Sequence, residues 1–524
     1  MRVAILCNGR DLALWQRRAV DQIAAAHEIF VLACSEPAAP RRRLNHVAYY
    51  ALNLASIRNR MTKRVPFPAA SDVIAERIDA QPAMEGGWAV LPPAAIAWLV
   101  QNRIEAVIKF GLNLLRVPPA DELPIPILSY HHGDPRSYRG RPAGFYELCN
   151  GEPFVGQVVQ ILGNRLDAGE VVAFAESRAV PHSYRRTLMA AYDLSPHLLP
   201  AALAAVEGNV RSDIIPKGRN YRLPGTFQVL GFVSQRLKAL LKLLLYGALT
   251  EKKWQVATCA VPGAPDPLSA VGEASKGRWN VLGVDRRFAF YADPFFHEEE
   301  GAILAEALNR WNGKGEIVKL ADGAVSRLSP AGGHLSYPIT VAEQGRTYVI
   351  PESSEWSAAG IYEIADGRLG RLADLDITAK GLIDPTPFRH SEQVYLFANR
   401  VEDGPSVLHL WHAPSIFGRF EMHPCSPIRV SGRGSRMAGH VQAWPDGLYR
   451  LGQDNRQGYG DGLLAFRITR LSPTDYAEEE AGSAAFPSVR GPHTLNCRAG
   501  TLLFDFYTER LSPLAGVRRI IGKL

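Results

Sequence analysis

One pattern recurs five times between Tyr291 and Tyr507. The clearest copies open with "YADPFF", "LSYPIT" and "LIDPTP"; "MAGHVQAWPDGLYRLGQDN" and "GPHTLNCRAGTLLFDFY" are weaker versions. A polar residue and a proline precede an apolar run, then come a turn and a second strand ending in a small or polar group. The copies are spaced by roughly forty to fifty-five residues, the length of one four-stranded propeller blade. A single blade cannot bury both of its faces, so repetition at this period demands a ring of blades. From Trp279 onward helical periodicity nearly vanishes, and short strands alternate with Gly, Pro and Asp turns. Five copies predict a five-bladed β-propeller over residues 277–524.

The preceding half reads differently. Strand-like runs such as "RVAILC", "EIFVLAC", "AVIKFG" and "IPILSYHH" alternate with helical spacing in "LALWQRRAVDQIAAA" and "PAAIAWLVQNR". That rhythm predicts a mostly parallel, Rossmann-like α/β domain over residues 1–208. Ligands of such sheets sit at the carboxyl ends of strands, which places Asn8-Gly9, Phe110-Gly111 and His131 at the expected site. A chain of 524 residues is long enough for two or three domains. Residues 209–276 read as a helical linker. Its segment "SQRLKALLKLLLYGALTEKK" sets Arg236, Lys238 and Lys242 among leucines. Two readings stand: a helix whose leucine face enters a core, or an amphipathic basic helix near 236–249 making peripheral contact with a membrane surface.

Charge and cysteines narrow the function classes. There are 59 basic against 52 acidic side chains, a formal net charge of +7. This mild excess suits anionic small molecules and is too diffuse to argue for nucleic acid. The six cysteines lie far apart with no C-x-x-C pair, so no metal knuckle or redox pair is expected. The start "MRVAILCNGRD" reads as a first strand rather than a signal peptide, and a cytoplasmic location is the expectation.

The stretch "SYHHGDPRSYRG" concentrates ionisable groups just past a buried strand. Ser129-Tyr130-His131 is followed by seven residues and then Arg139-Gly140, with Pro142 beyond. Further on, "CNGEPFVGQVVQILGNRLDAGE" supplies Gly151-Glu152, Gly156 and Leu166-Asp167-Ala168-Gly169. Over residues 105–175 these spaced elements resemble the 10-formyltetrahydrofolate-dependent formyltransferases, whose motif is N-x-H, seven residues, R-G, then a later D-x-G. The resemblance implies that His131 is the general base or proton shuttle for an attacking amine. It implies that Asp167 orients and charge-tunes that imidazole and holds water near the formyl carbon. Phe110, Gly111 and Leu112 would line the folate cleft. The family's asparagine is Ser129 here, which shortens a donor to the developing oxyanion; His132 is one candidate to fill the gap. Asp134 and Arg136 stand where they could contact an amine-bearing substrate or pair with each other in a turn.

In "GHLSYP", "IPES" and "LIDPT" the second half resembles the propeller-like N-terminal region of glucosamine inositolphosphorylceramide transferases, and more broadly the five-bladed furanosidase-like glycoside hydrolases. That resemblance implies channel carboxylates, with Asp293, Glu352 and Asp384 as candidates, and His334, His440 and His493 near blade starts.

Together these readings predict formyl transfer from 10-formyltetrahydrofolate to the amine of a nucleotide- or lipid-linked amino sugar. The partner is then a small-molecule sugar. Two alternatives remain: a degenerate transferase domain joined to a glycan-binding propeller, and glycoside processing through the propeller carboxylates.

Overall fold

The computed structural model describes residues 1–9, 11–35, 44–67, 74–298, 301–329, 333–353, 358–456 and 458–520. The chain divides into two compact units, Met1–Leu241 and Lys242–Leu524.

The first unit is built on a seven-stranded sheet. In chain order its strands are β1 (Arg2–Asn8), β2 (Glu28–Cys34), β3 (Ile74–Ala80), β4 (Ala106–Lys109), β5 (Ile127–His131), β6 (Phe154–Ile161) and β7 (Glu170–Arg178). Their order across the sheet is β7-β6-β5-β4-β1-β2-β3. The five strands from β5 to β3 are parallel, and β6 and β7 add antiparallel at one edge. The strand order reverses between β1 and β4, the crevice where doubly wound sheets bind ligands. Helix α1 (Leu14–Ile23) buries Trp15, Ala19, Val20 and Ile23, a helical spacing that lays one stripe on the core. Helix α2 (Pro93–Gln101) starts on a proline, whose fixed φ and missing N–H suit a first turn. Its Trp98 and Leu99 pack on Ala4, Leu6, Phe30, Leu32, Val107 and Ile127.

Period two then divides the strand ends. Val107 and Ile127 face α2, so Lys109, Ser129 and His131 continue that face. Phe110 and Tyr130 face the other way, into a cluster with Trp15, Met61 and Tyr192.

The second unit is a five-bladed β-propeller. Its first four sheets run Phe288–Arg327, Ser336–Asp374, Leu382–Val430 and Gln442–Ala484 in up-and-down order, the third with an extra short strand, Arg429–Val430, paired back on Val407–Ala413. The fifth joins Leu495–Arg498 and Thr501–Leu511 to Thr250–Ala260 and Asn280–Val281. The stretch read as a helical linker therefore contains a blade strand. Thr250–Ala260 pairs with Thr501–Leu511 over eleven consecutive residue pairs. The linker reading failed because "TEKKWQVATCA" is charged at one end and lacks a turn signal before it. The rest of that stretch is helical: α3 (Thr226–Leu249) and a short helix, Pro267–Ala274.

A buried ion pair ties the fourth blade. Arg450, fully buried, donates from Nε and Nη2 to the Glu478 carboxylate, both at 2.6 Å, and lies over the Phe466 ring at 4.1 Å. Removing one partner strands the other charge in low dielectric. Arg450→Met is expected to destabilise the propeller by about 3–5 kcal/mol in urea unfolding. Adding Glu478→Leu to that variant is expected to restore most of the loss.

Candidate functional site

In the first unit, His131 ends β5 with its ring nearly buried. Its Nε2 lies 3.1 Å from the Tyr138 carbonyl oxygen, and its Nδ1 lies 3.5 Å from Asp167 Oδ1. A carbonyl and a carboxylate both only accept, so the ring bonds Tyr138 through Nε2–H and bonds Asp167 only when Nδ1 carries a proton as well. The Gly140 N–H donates to Asp167 Oδ2 at 3.0 Å. Asp167 itself sits at φ 44°, a left-handed conformation that aspartate tolerates better than most residues. The loop behind it is pinned by the Gly169 N–H donating to Gln160 Oε1 at 3.1 Å. Gly133 is required beside the imidazole, because a Cβ there would come within 2.8 Å of His131 Nε2. The motif residues Ser129, His131, Gly140 and Asp167 are thus assembled around one point.

Lys109 joins them and was missed in the sequence. It lies directly across from Ser129 in the parallel β4–β5 register, on the same face. Its Nζ donates to the Asn113 carbonyl at 2.8 Å. Burial lowers its ammonium to about 8, against the pull of Asp167 in the other direction. The signal available was a lone lysine closing an otherwise apolar strand.

Several expected ligand contacts are reassigned. The His132 ring turns to the opposite face, as period two requires. It packs against Trp15, Tyr130 and Tyr192, with Nε2 2.9 Å from Ser195 Oγ. Burial drops its pKa to about 3, so it is a neutral core histidine and does not replace the missing asparagine. Asp134 and Arg136 form a bidentate turn pair, with Nη2 2.7 Å from Oδ2, and Arg136 lies over Phe174. Phe110 stacks on Tyr130, and Leu112 is buried in the core under α2. Gly111 is needed for Asn8 rather than for a ligand: a Cβ would fall 2.2 Å from Asn8 Oδ1, which accepts from the Leu112 N–H. Leu112 is thereby taken into the core, while Phe110 stays half-buried at the strand end.

The propeller brings together all three of its expected carboxylates. Asp293 and Asp384 sit at φ 47° and 46°, each before a proline and at a break in strand register. Such bulges re-aim a side chain. Tyr337 holds the same position in the second blade at φ 49°, a conformation that costs more for a bulky residue. The second strand of each blade then supplies one polar residue: Glu306, Glu352, Asn399, Gln453 and Asp505. These residues tie neighbouring blades. The Asp384 N–H donates to Glu352 Oε2 at 3.1 Å, and the Asp293 N–H donates to Asp505 Oδ2 at 2.9 Å.

Two cations organise this ring. Arg436 binds Asp384 through Nε and Nη2, at 2.5 and 3.2 Å, and reaches Glu352 at 3.6 Å. His493 Nδ1 lies 3.2 Å from Asp293 and 3.5 Å from Asp505. Burial opposes a charged His493 ring, but Tyr459 and the two carboxylates outweigh it and raise its pKa well above the usual value. Burial would also raise Asp293, yet the His493 bond and charge hold it below the ordinary aspartate range. Glu306 and Glu352 go the other way. Burial, then the neighbouring acids, push Glu352 to about 8 and Glu306 well up. Asp293, His493 and Asp505 each offer an atom within 4.8 Å of the others, so this trio is where a cation could be held if His493 gave up its proton. Of the other blade histidines, His334 accepts from the Gly315 N–H. His440 packs edge-on to Phe295, and burial lowers its pKa to about 4.

Residues 288–502 match the family described as glucosamine inositolphosphorylceramide transferase 1, N-terminal. A glucosamine inositolphosphorylceramide transferase 1 of Arabidopsis thaliana is 29% identical over 186 residues, 34% of this chain and 24% of that protein. The chain spans about a quarter of the length of the curated relatives it matches. Among solved structures, a family 117 glycoside hydrolase from Zobellia galactanivorans is 12% identical, covering 41% of this chain and 83% of that one, with a TM-score of 0.30. Glycinamide ribonucleotide transformylase 1 from Symbiobacterium toebii is 17% identical, covering 40% and 88%, with a TM-score of 0.26.

Glu352 yields a stability test. Its folded pKa, about 8, lies above the ordinary glutamate value of 4.5. The folded state therefore keeps a proton that the unfolded chain releases, and stability falls as pH rises from about 5 to 8. Glu352→Gln is expected to flatten that fall, read as the propeller's urea midpoint at pH 5 and pH 8.

Proposed function

We propose that the first unit transfers a formyl group from 10-formyltetrahydrofolate to a primary amine on an amino sugar, and that the propeller engages the sugar. The observation that carries this reading is the His131–Asp167 pair, with Nδ1 3.5 Å from the carboxylate, set beside Ser129 and Gly140 in the family's motif spacing. The donor set suits the chemistry. The folate donor, when bound, supplies the activated formyl carbon. His131 Nδ1 takes the proton released as the amine nitrogen forms its bond to that carbon, and Asp167 stabilises the imidazolium. The proton then returns to the folate nitrogen as its bond to carbon breaks. Ser129 and the Lys109 ammonium are the donors on this face for the formyl oxygen, where the family has an asparagine. A sugar acceptor is supported by the propeller's match to a region of proteins named as glucosamine inositolphosphorylceramide transferases.

A second reading rests on the propeller alone. Glu352, protonated up to about 8, sits beside the Asp384–Arg436 pair. Asp293 in the same ring is held low by His493, and carboxyl groups driven apart in this way are the arrangement of acid–base work on a glycosidic bond. Release of reducing sugar that disappears in Glu352→Gln would favour this reading.

The transferase reading is tested by incubating the chain with 10-formyltetrahydrofolate and a panel of amino-sugar nucleotides, and following N-formyl product by mass. His131→Asn is expected to lower the rate by about 100- to 10,000-fold, and Lys109→Met by on the order of 100-fold. Because the Lys109 ammonium loses its proton near 8, wild-type turnover should decline as pH rises through that value. Lys109→Met should lack that decline. Absence of product with every acceptor, or full activity in His131→Asn, contradicts the reading.

A further inference from the structure

Helix α3 is anchored on one side only. Val229 and Phe232 are buried, Phe232 stacks on Phe145 at 4.3 Å, and Arg236 donates to the Leu148 carbonyl. At 100° per residue, Leu230, Val233, Leu237, Leu240 and Leu244 fall on a different stripe, and all are exposed. Leu237 is 61% and Leu244 60% exposed. The expectation that this leucine face enters a core is therefore overturned. Leu241, Leu243 and Leu245 widen the stripe, and Phe227 at the helix start is 89% exposed. Lys238 and Lys242 lie together in solvent on the face away from it, and Thr226–Leu249 contains no acidic residue.

A second element extends the same surface. Ser512 N–H donates to the Leu249 carbonyl at 2.8 Å, Gly516 lies against Ala248, and Arg519 Nη2 donates to the Thr250 carbonyl at 2.5 Å. This places Leu511, Leu514 and Val517, all exposed, beside the helix end, where Arg518 pairs with Glu251 at 2.8 Å and Arg519 caps the last carbonyls. Large leucines on one face, lysines on the polar face and no acid on the helix are the chemistry of a helix lying in the boundary between anionic headgroups and acyl chains. No helix among the described residues is long and apolar enough to cross a membrane, so the helix would lie along the surface.

We propose that α3, continued by the Leu511–Arg519 segment, seats the chain on an anionic lipid surface. A second copy fits less well. A coiled-coil seam would use Leu230, Val233, Leu237, Leu240 and Leu244, but the positions flanking that seam normally carry charges. Here Leu241 and Leu243 occupy them, and pairing would leave them and Leu245 uncovered.

The test is sedimentation of the full chain with phosphatidylcholine vesicles, with and without phosphatidylglycerol. Wild type is expected to bind the anionic vesicles about 10-fold or more tighter, since each cation near such a surface adds attraction of about 1 kcal/mol. Lys238→Glu with Lys242→Glu should erase that difference. Leu237→Glu with Leu241→Glu and Leu244→Glu should abolish binding while leaving the melting temperature unchanged, because all three sites are exposed. Equal sedimentation of that triple variant, or no binding by wild type, overturns the proposal. So does light scattering that shows a wild-type dimer split by the same three substitutions, which would assign the face to a second copy.

Discussion

The ladder between Thr250–Ala260 and Thr501–Leu511 is the interaction on which the second unit depends. It joins strands some two hundred and fifty residues apart in sequence, so its closure entropy is large and must be repaid by contacts made only in the closed ring. Closure also builds the polar centre. Asp505 lies on one strand of the ladder and accepts from the Asp293 and Thr494 amides. Trp254 lies on the other and packs on His493 and Tyr507. An open ring would therefore lose both edges of the sheet and the acid–histidine cluster together. Edge strands left unpaired are themselves a liability, which gives closure a second physical reason.

In the first unit the comparable constraint is the two-residue period of β5. One face of Ile127–His131 continues the packing under α2 and ends in Ser129 and His131; the other ends in Tyr130 and His132 within an aromatic cluster. Adjacent histidines thus have opposite roles. One turns its Nδ1 to Asp167; the other is held neutral by burial. A one-residue slip would exchange them.

Much of this was legible from residues. The forty-to-fifty-residue recurrence specified blades, because each copy carried its own turn chemistry. The spacing from His131 to Gly140 and on to Asp167 marked residues that do converge. What stayed hidden depended on long-range pairing. The blade strand at Thr250–Ala260 has its long partner at Thr501–Leu511 and only a two-residue one nearby, so its sequence looked like linker. Glu306, Arg436 and Asp505 come from separate blades and carry no motif. Gly111 was assigned to a ligand because glycine signals close approach, while the approaching group is the Asn8 side chain. Asp134 and Arg136 satisfied each other, an outcome that two opposite charges two residues apart always leave open.

Formyl transfer requires the His131–Asp167 face to accept a formyl-folate. Calorimetric titration of the full chain with 5-formyltetrahydrofolate tests that claim most directly, with His131→Ala alongside. Saturable binding at one site per chain, weakened in His131→Ala, is the predicted result. A wild-type titration with no heat beyond dilution would contradict it and leave the propeller's acid–arginine cluster as the working site.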